Sequence, residues 1–390
     1  MRAHFFMLIA PAIVGLLAVR PAHAGEYVIH DLGALTNNGY APEVVAGHYI
    51  VPIQQEFMFL PPERYVILSE NVDRIAALGT FGGARTIALA QNHRGETVGM
   101  SDVPQIVTPN YSASPHHAFS VIPGRPMTDL GTFTTNPLLG STAYGISDRG
   151  WVVGSAAVDL VITPDGEAAP QHAFLHDGHD LLDLGTFTTD PLISSTAYGV
   201  NARGQVVGSA GIGVIYAPGA EYAPQHAFLW QNGAMQDLGT LSTSPFLSSV
   251  AYGINDAGCV VGTAGYQLAT GYGWEMVVQH AFTYTAAGGV RDLGTLGGFN
   301  SFGYAIDPAG RVIGRFDLPA ASGLPWDQEA HAVVWDHSAV IDLGALAAGR
   351  PSSAYGFDGQ GWIYGLAFDI NWQLHLVSWE RDHGVQGGHG

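Results

Sequence analysis

The chain of 390 residues has no lysine, a single cysteine and few charges of any kind, 12% of its residues. One cysteine, Cys259, excludes an intramolecular disulfide, so stability has to come from packing even in an oxidising compartment. Cys259 also stands where other copies of an internal repeat carry Trp151, Gln205, Arg311 or Trp362, a slot too tolerant for a catalytic thiol. All 14 basic residues are arginine and face 33 acidic ones, for a formal net charge of −19. That balance repels polyanions and argues against nucleic acid and anionic membranes as partners. Metal-spaced Cys/His clusters, phosphate-binding glycine loops, nucleophile elbows and dinucleotide fingerprints are missing too, so no cofactor and no metal are expected.

Long apolar runs are absent beyond the start. Phe5 to Val19 is uninterrupted, but it falls short of the roughly 20 residues that cross a bilayer. It follows Met1-Arg2 and precedes Ala22-His23-Ala24, the pattern of a cleaved export signal. Residues 1–24 are therefore expected to be a signal peptide. The mature part, 25–382, is expected to be one exported domain, extracellular or periplasmic, without membrane insertion and monomeric. Residues 383–390, with His383 and His389 among glycines, read as a flexible tail.

Glycine is abundant, with 52 residues, and much of it is periodic. The glycine after an Asp-Leu pair or its equivalent recurs as Gly33, Gly79, Gly131, Gly185, Gly239, Gly294 and Gly344, at steps of 46, 52, 54, 54, 55 and 50. A period of about 50 residues is that of a propeller blade rather than a helical repeat. Within a unit, short β-branched runs are bounded by Gly, Asn and Asp, as in Tyr252–Asn255, Cys259–Thr263, His280–Tyr284 and Val290–Leu296. These are strand and hairpin signals, and no 3.6-residue period competes with them.

The fold expected is all-β, a seven-bladed β-propeller with four-stranded blades. Its closure is legible at the ends. The mature chain opens on a strand of the fourth type, Tyr27–Leu35, and finishes on one of the third type, Leu374–Glu380. Pairing them stitches one blade from both termini and removes the open edges of the stack. The first strand of each blade is expected at the axis, where Tyr144, Tyr198, Tyr252, Tyr304 and Tyr355 sit between small residues and suit the crowding there.

Three motifs recur: His-Ala-Phe at 117, 172, 226 and 280, Asp-Leu-Gly-Thr at 129, 183, 237 and 292, and Ala-Tyr-Gly followed by Val-Val-Gly. In these the chain resembles the HAF-repeat family of probable extracellular bacterial proteins, from His117 to about Gly365. The first unit departs from the pattern: Arg64-Tyr65-Val66 stands in place of His-Ala-Phe, and Ala77 in place of the aspartate. The resemblance implies an exported repeat protein and carries no activity to particular residues.

Histidine opens the third strand at His117, His172, His226, His280, His331 and His375, and aspartate recurs in the fourth as Asp31, Asp129, Asp183, Asp237, Asp292 and Asp342. A His–Asp pair suits acid–base catalysis or metal ligation. A pair repeated in nearly every blade is spread around a ring, however, whereas an active site needs different residues converging, so the expected role is structural.

The residues that vary are more informative. The longer connections, between second and third strands and between blades, all emerge on one face of a propeller. They carry Tyr111, Tyr216, Glu221, Tyr222, Tyr272, Trp274, Glu275, Trp326, Asp327 and Trp372, the candidate ligand-binding residues. Aromatic rings beside acidic groups suit a glycan or a protein segment; packing of loop on loop as a lid is the competing reading. Two function classes follow: a non-catalytic binding or scaffold module, or a secreted glycan-cleaving enzyme, lyase or hydrolase, with its active site on the same face.

Overall fold

In a computed structural model, the described residues are 27–36, 42–45, 48–53, 64–68, 78–108, 111–163, 166–217, 220–269, 275–319, 329–337, 339–358 and 360–382. The expected signal peptide and tail lie outside them. The described chain is all-β, without helices, and forms a seven-bladed propeller. Six blades are antiparallel four-stranded sheets, and the first has three strands among the described residues. In the fourth blade the strands run Ser195–Val200, Val206–Gly211, Gln225–Gln231 and Ala234–Gly239 from the axis outward.

The ring closes as the ends of the sequence predict. Tyr27–Ala34 pairs antiparallel with Leu374–Arg381, from Tyr27 opposite Arg381 to Ala34 opposite His375, as the outer two strands of the seventh blade. Each core lies between neighbouring blades. Phe228 of the fourth blade packs with Val153 and Ala173 of the third, and Trp379 of the seventh with Val334 and Ile341 of the sixth.

Two of the repeated motifs, with a serine two residues before the third, form one hydrogen-bonded staple. In the third blade the His172 Nδ1 lies 2.9 Å from Asp183 Oδ2, and the Gly185 N–H donates to Asp183 Oδ1 at 2.7 Å. The Gly185 carbonyl then accepts from Ser195 Oγ of the next blade at 2.6 Å, and Ser195 Oγ accepts the Ala173 N–H at 2.8 Å. Gly185 has φ +74°, a conformation that favours glycine. The third motif fixes the approach of first to second strand: a Cβ on Gly208 would lie on the Thr196 carbonyl oxygen, so the Val-Val-Gly position admits only hydrogen.

The first blade differs from its neighbours. Arg64–Leu68, expected as a third strand, is the one at the axis: Val66, Ile67 and Leu68 line the central channel, and Ile67 packs against the same buried cluster as Tyr355. Glu43–Val45 lies on the outer side, where Val45 approaches Gly33 of the seventh blade's outermost strand. Without His-Ala-Phe and Asp-Leu-Gly, this unit lacks the His–Asp part of the staple, although the Gly79 carbonyl still accepts from Thr86 Oγ1 of the next blade at 2.5 Å. A smaller difference concerns the fifth blade, where the segment between Thr263 and His280 is no loose loop. Its strands continue as a ribbon, Val260–Ala269 against Glu275–Thr285.

Candidate functional site: a loop-rich face and an axial cavity

The six His–Asp pairs all form, each within one blade, with Nδ1 to carboxylate distances of 2.8–2.9 Å. In each pair the aspartate also accepts the N–H of the glycine two residues on. Burial works to raise the carboxyls of Asp129, Asp183 and Asp237, but the histidine and glycine hydrogen bonds outweigh it and hold them below the usual aspartate range. A carboxylate held ionised by fixed donors is a poor proton shuttle. The pairs stand in separate blades, and among the described residues no three His, Cys, Asp or Glu side chains gather as a metal site. Burial also pushes the Cys259 thiol up, away from the reactive thiolate.

The loop-rich face is built from two devices. In the second, third and fourth blades the connection from second to third strand is a small hairpin: Ile106–Thr108 with Tyr111–Ala113, Val161–Thr163 with Gly166–Ala168, and Ile215–Ala217 with Ala220–Tyr222. The fifth blade supplies its ribbon, so four consecutive blades project strands from this face. Such short strands carry too little period to be read from sequence.

The second device is the connection between blades. Pro137-Leu138-Leu139, Pro191-Leu192-Ile193 and Pro245-Phe246-Leu247 occupy equivalent positions. The third residue of each is a buried anchor (Leu139, Ile193, Leu247), whereas Leu192 and Phe246 are exposed. Thr132, Thr186 and Thr240 each donate Oγ1 to the carbonyl two residues on, at 2.6 Å. Asn136 and Asp190 accept the Leu138 and Leu192 N–H groups. The loops are thus tied turns of common geometry.

Of the sequence candidates, Tyr111, Tyr216, Glu221 and Tyr222 fall in the hairpins and Glu275 begins the ribbon; their side chains are outside those described. Tyr272, Trp274, Trp326 and Asp327 lie outside the described residues. Trp372 is described and remains 56% exposed, in the corresponding turn of the seventh blade at φ +63°. One side of its ring is covered by Arg350, whose Cζ is 4.3 Å from the centroid, and it meets Phe368 edge-on at 5.7 Å. Loop-on-loop packing and exposure therefore coexist at this residue.

A cavity of about 770 Å³ runs along the axis and was not expected as a site. The tyrosines between small residues turn out to be bulged. Ala143 pairs with Gly154 and Gly145 with Val153, which leaves Tyr144 as the extra residue, and the same shift occurs at Tyr198, Tyr252, Tyr304 and Tyr355. A bulge re-aims its side chain, and all five tyrosines line the cavity. The remaining lining comes from Val66–Leu68, Leu89, first-strand residues that follow the tyrosines such as Ile146, Val200, Ile254 and Ile306, and the turns that join first to second strands, with His93, Asp307, Arg311, Asp358 and Gln360. The polar end of the cavity is therefore on the short-turn face, opposite the hairpins.

No protein-family model matches the chain, and no curated protein does. Among solved structures it is similar to an ulvan lyase of a polysaccharide lyase family, bound to -[GlcA(1-4)Rha3S]-, at 10% identity and TM-score 0.35 over 72% of this chain and 78% of that one. It is also similar to a sialidase of Trypanosoma rangeli, at 9% and 0.34 over 75% and 53%. A third similar structure is that of an RGII complex, at 9% and 0.28 over 77% and 88%. Overlaps this low assign the chain neither a substrate nor a site.

Proposed function

We propose that this protein is an exported, non-catalytic binding propeller of the HAF-repeat type that takes a glycan or a protein segment on its loop-rich face. One observation carries the reading. Of ten exposed large apolar residues among those described, six sit on the connections of that face: Ile162, Leu192, Phe246, Val277, Ile370 and Trp372. Only Ile122 lies in a turn of the opposite face, and Val28, Val44 and Leu182 lie in outer strands. Apolar side chains held outward by tied turns lose little freedom on binding, which favours affinity. The acidic balance of the chain selects a neutral or basic partner over a polyanion.

The test is a glycan and peptide array probed with the mature protein, followed by a Leu192→Ser/Phe246→Ser variant against every hit. Binding should fall at least tenfold with the melting temperature within a few degrees. Undiminished binding would refute the site, and cleavage of an arrayed glycan would replace the binding reading with the enzyme on the same face.

A further inference from the structure

The axial cavity points to a second ligand, independent of the loop-rich face. At about 770 Å³ it falls in the range of small-molecule sites, and its two sides differ. The blades from the third to the seventh contribute the tyrosine arc together with Ile146, Val200, Ile254 and Ile306, whereas Val66, Ile67, Leu68 and Leu89 of the first two blades add only aliphatic side chains. From Tyr144 to Tyr198, Tyr252 and Tyr304 the ring centroids step by 5.5, 5.8 and 6.0 Å and the planes turn by 56°, 55° and 56°. Each of these turns is close to a seventh of a circle, as the blade rotation requires, whereas the last step, from Tyr304 to Tyr355, is 5.2 Å with a turn of only 27°.

Charge selects the ligand. Arg311 Nε donates to Asp307 Oδ2 at 2.7 Å, which makes that pair neutral. His93 lies 3.0 Å from Asp148. Asp358 receives only neutral donors among the described residues: the Gln360 and Trp362 N–H groups at 2.8 and 2.9 Å and the Tyr364 hydroxyl at 3.4 Å. It is the lining carboxylate with no cationic partner. Aromatic rings and an uncompensated carboxylate around one space favour a cation and disfavour an anion. The wall already accepts one, since Arg311 Cζ lies 5.5 Å from the centroid of Phe357, itself a lining residue.

We propose that the axial cavity binds a small organic ammonium ion, which enters from the short-turn face and sits between the tyrosine arc and Asp358.

Calorimetric titration of residues 25–390 with choline and tetramethylammonium, beside 3,3-dimethylbutan-1-ol as the uncharged isostere of choline, tests this. Both cations should bind saturably and the alcohol at least tenfold more weakly. Tyr198→Leu should weaken choline by roughly 2- to 30-fold, the equivalent of one cation–π contact. Asp358→Asn keeps an acceptor for the turn and should weaken choline while leaving the melting temperature in place, so the test survives if the tyrosine variant misfolds. No binding of either cation at tens of millimolar, equal binding of choline and the alcohol, or an unchanged affinity in Asp358→Asn would each overturn the proposal.

Discussion

Trp379 holds the seam where the two ends of the chain meet, and replacing it with alanine should remove a large share of the stability. It lies in the third strand of the seventh blade, opposite Ile29 on one side and Ile363 on the other. Its ring is fully buried against the sixth blade, with Val334, Ile341 and Leu343 in the same cluster. Its Nε1 donates to the Leu343 carbonyl at 2.9 Å. Truncating a buried tryptophan costs about 3–5 kcal/mol, and the lost hydrogen bond leaves a buried carbonyl short of a donor, about 1 kcal/mol more. Against a total stability of roughly 5–15 kcal/mol that is a large share. Trp230, at the same register in the fourth blade opposite Val206, is only partly buried, and Trp230→Ala should cost clearly less. Guanidinium unfolding followed by tryptophan fluorescence measures both through the shift in midpoint at constant slope. A Trp379→Ala loss below about 1 kcal/mol, or one no larger than that of Trp230→Ala, would refute the closure argument.

Ser249→Ala removes one of the links between the fourth and fifth blades, because Ser249 Oγ donates to the Gly239 carbonyl and accepts the Ala227 N–H. It should destabilise by about 1–3 kcal/mol, the cost of a buried unpaired backbone group, as read by the same unfolding assay. Stability should also depend on pH in two opposite senses. The folded forms of Asp129, Asp183 and Asp237 titrate below the ordinary value, burial being outweighed by their hydrogen bonds. Their contribution is present above the unfolded aspartate value and is lost as pH falls through the folded one. His331 is raised: burial opposes its charge, but Asp342 and then Glu329 outweigh the burial. Its contribution is complete below the unfolded histidine value and is lost as pH rises through the folded one. Midpoints measured from pH 3 to 8 should fall at the acid end for the native chain, and Asp237→Asn should flatten that fall.

The sequence revealed those features in which a residue type repeats at fixed spacing. Asp237 lies eleven residues after His226, a hairpin distance that announces the pair, and the complementary end strands Tyr27–Leu35 and Leu374–Glu380 announce closure. Strand order in the first blade was hidden because Arg64-Tyr65-Val66 carries none of the motif residues that mark order elsewhere. The axial cavity was hidden for a different reason. Ala143-Tyr144-Gly145 is compatible with a regular tapered strand, and only the register against Gly154 and Val153 shows the tyrosine bulged toward the channel. The hairpins were missed because three-residue strands have no period to detect. The exposed row was missed because Leu192 and Ile193 are the same kind of residue in sequence, and burial alone separates the presented side chain from its anchor.

The most direct test of function is a hydrogen–deuterium exchange footprint of residues 25–390 with their tightest array ligand. Binding on the loop-rich face predicts protection of the tied turns 132–140, 186–194 and 240–248 and of the hairpins 161–168 and 215–222, with the turns 147–151 and 201–205 unchanged. Protection confined to those short turns, or to the outermost strands, would contradict it.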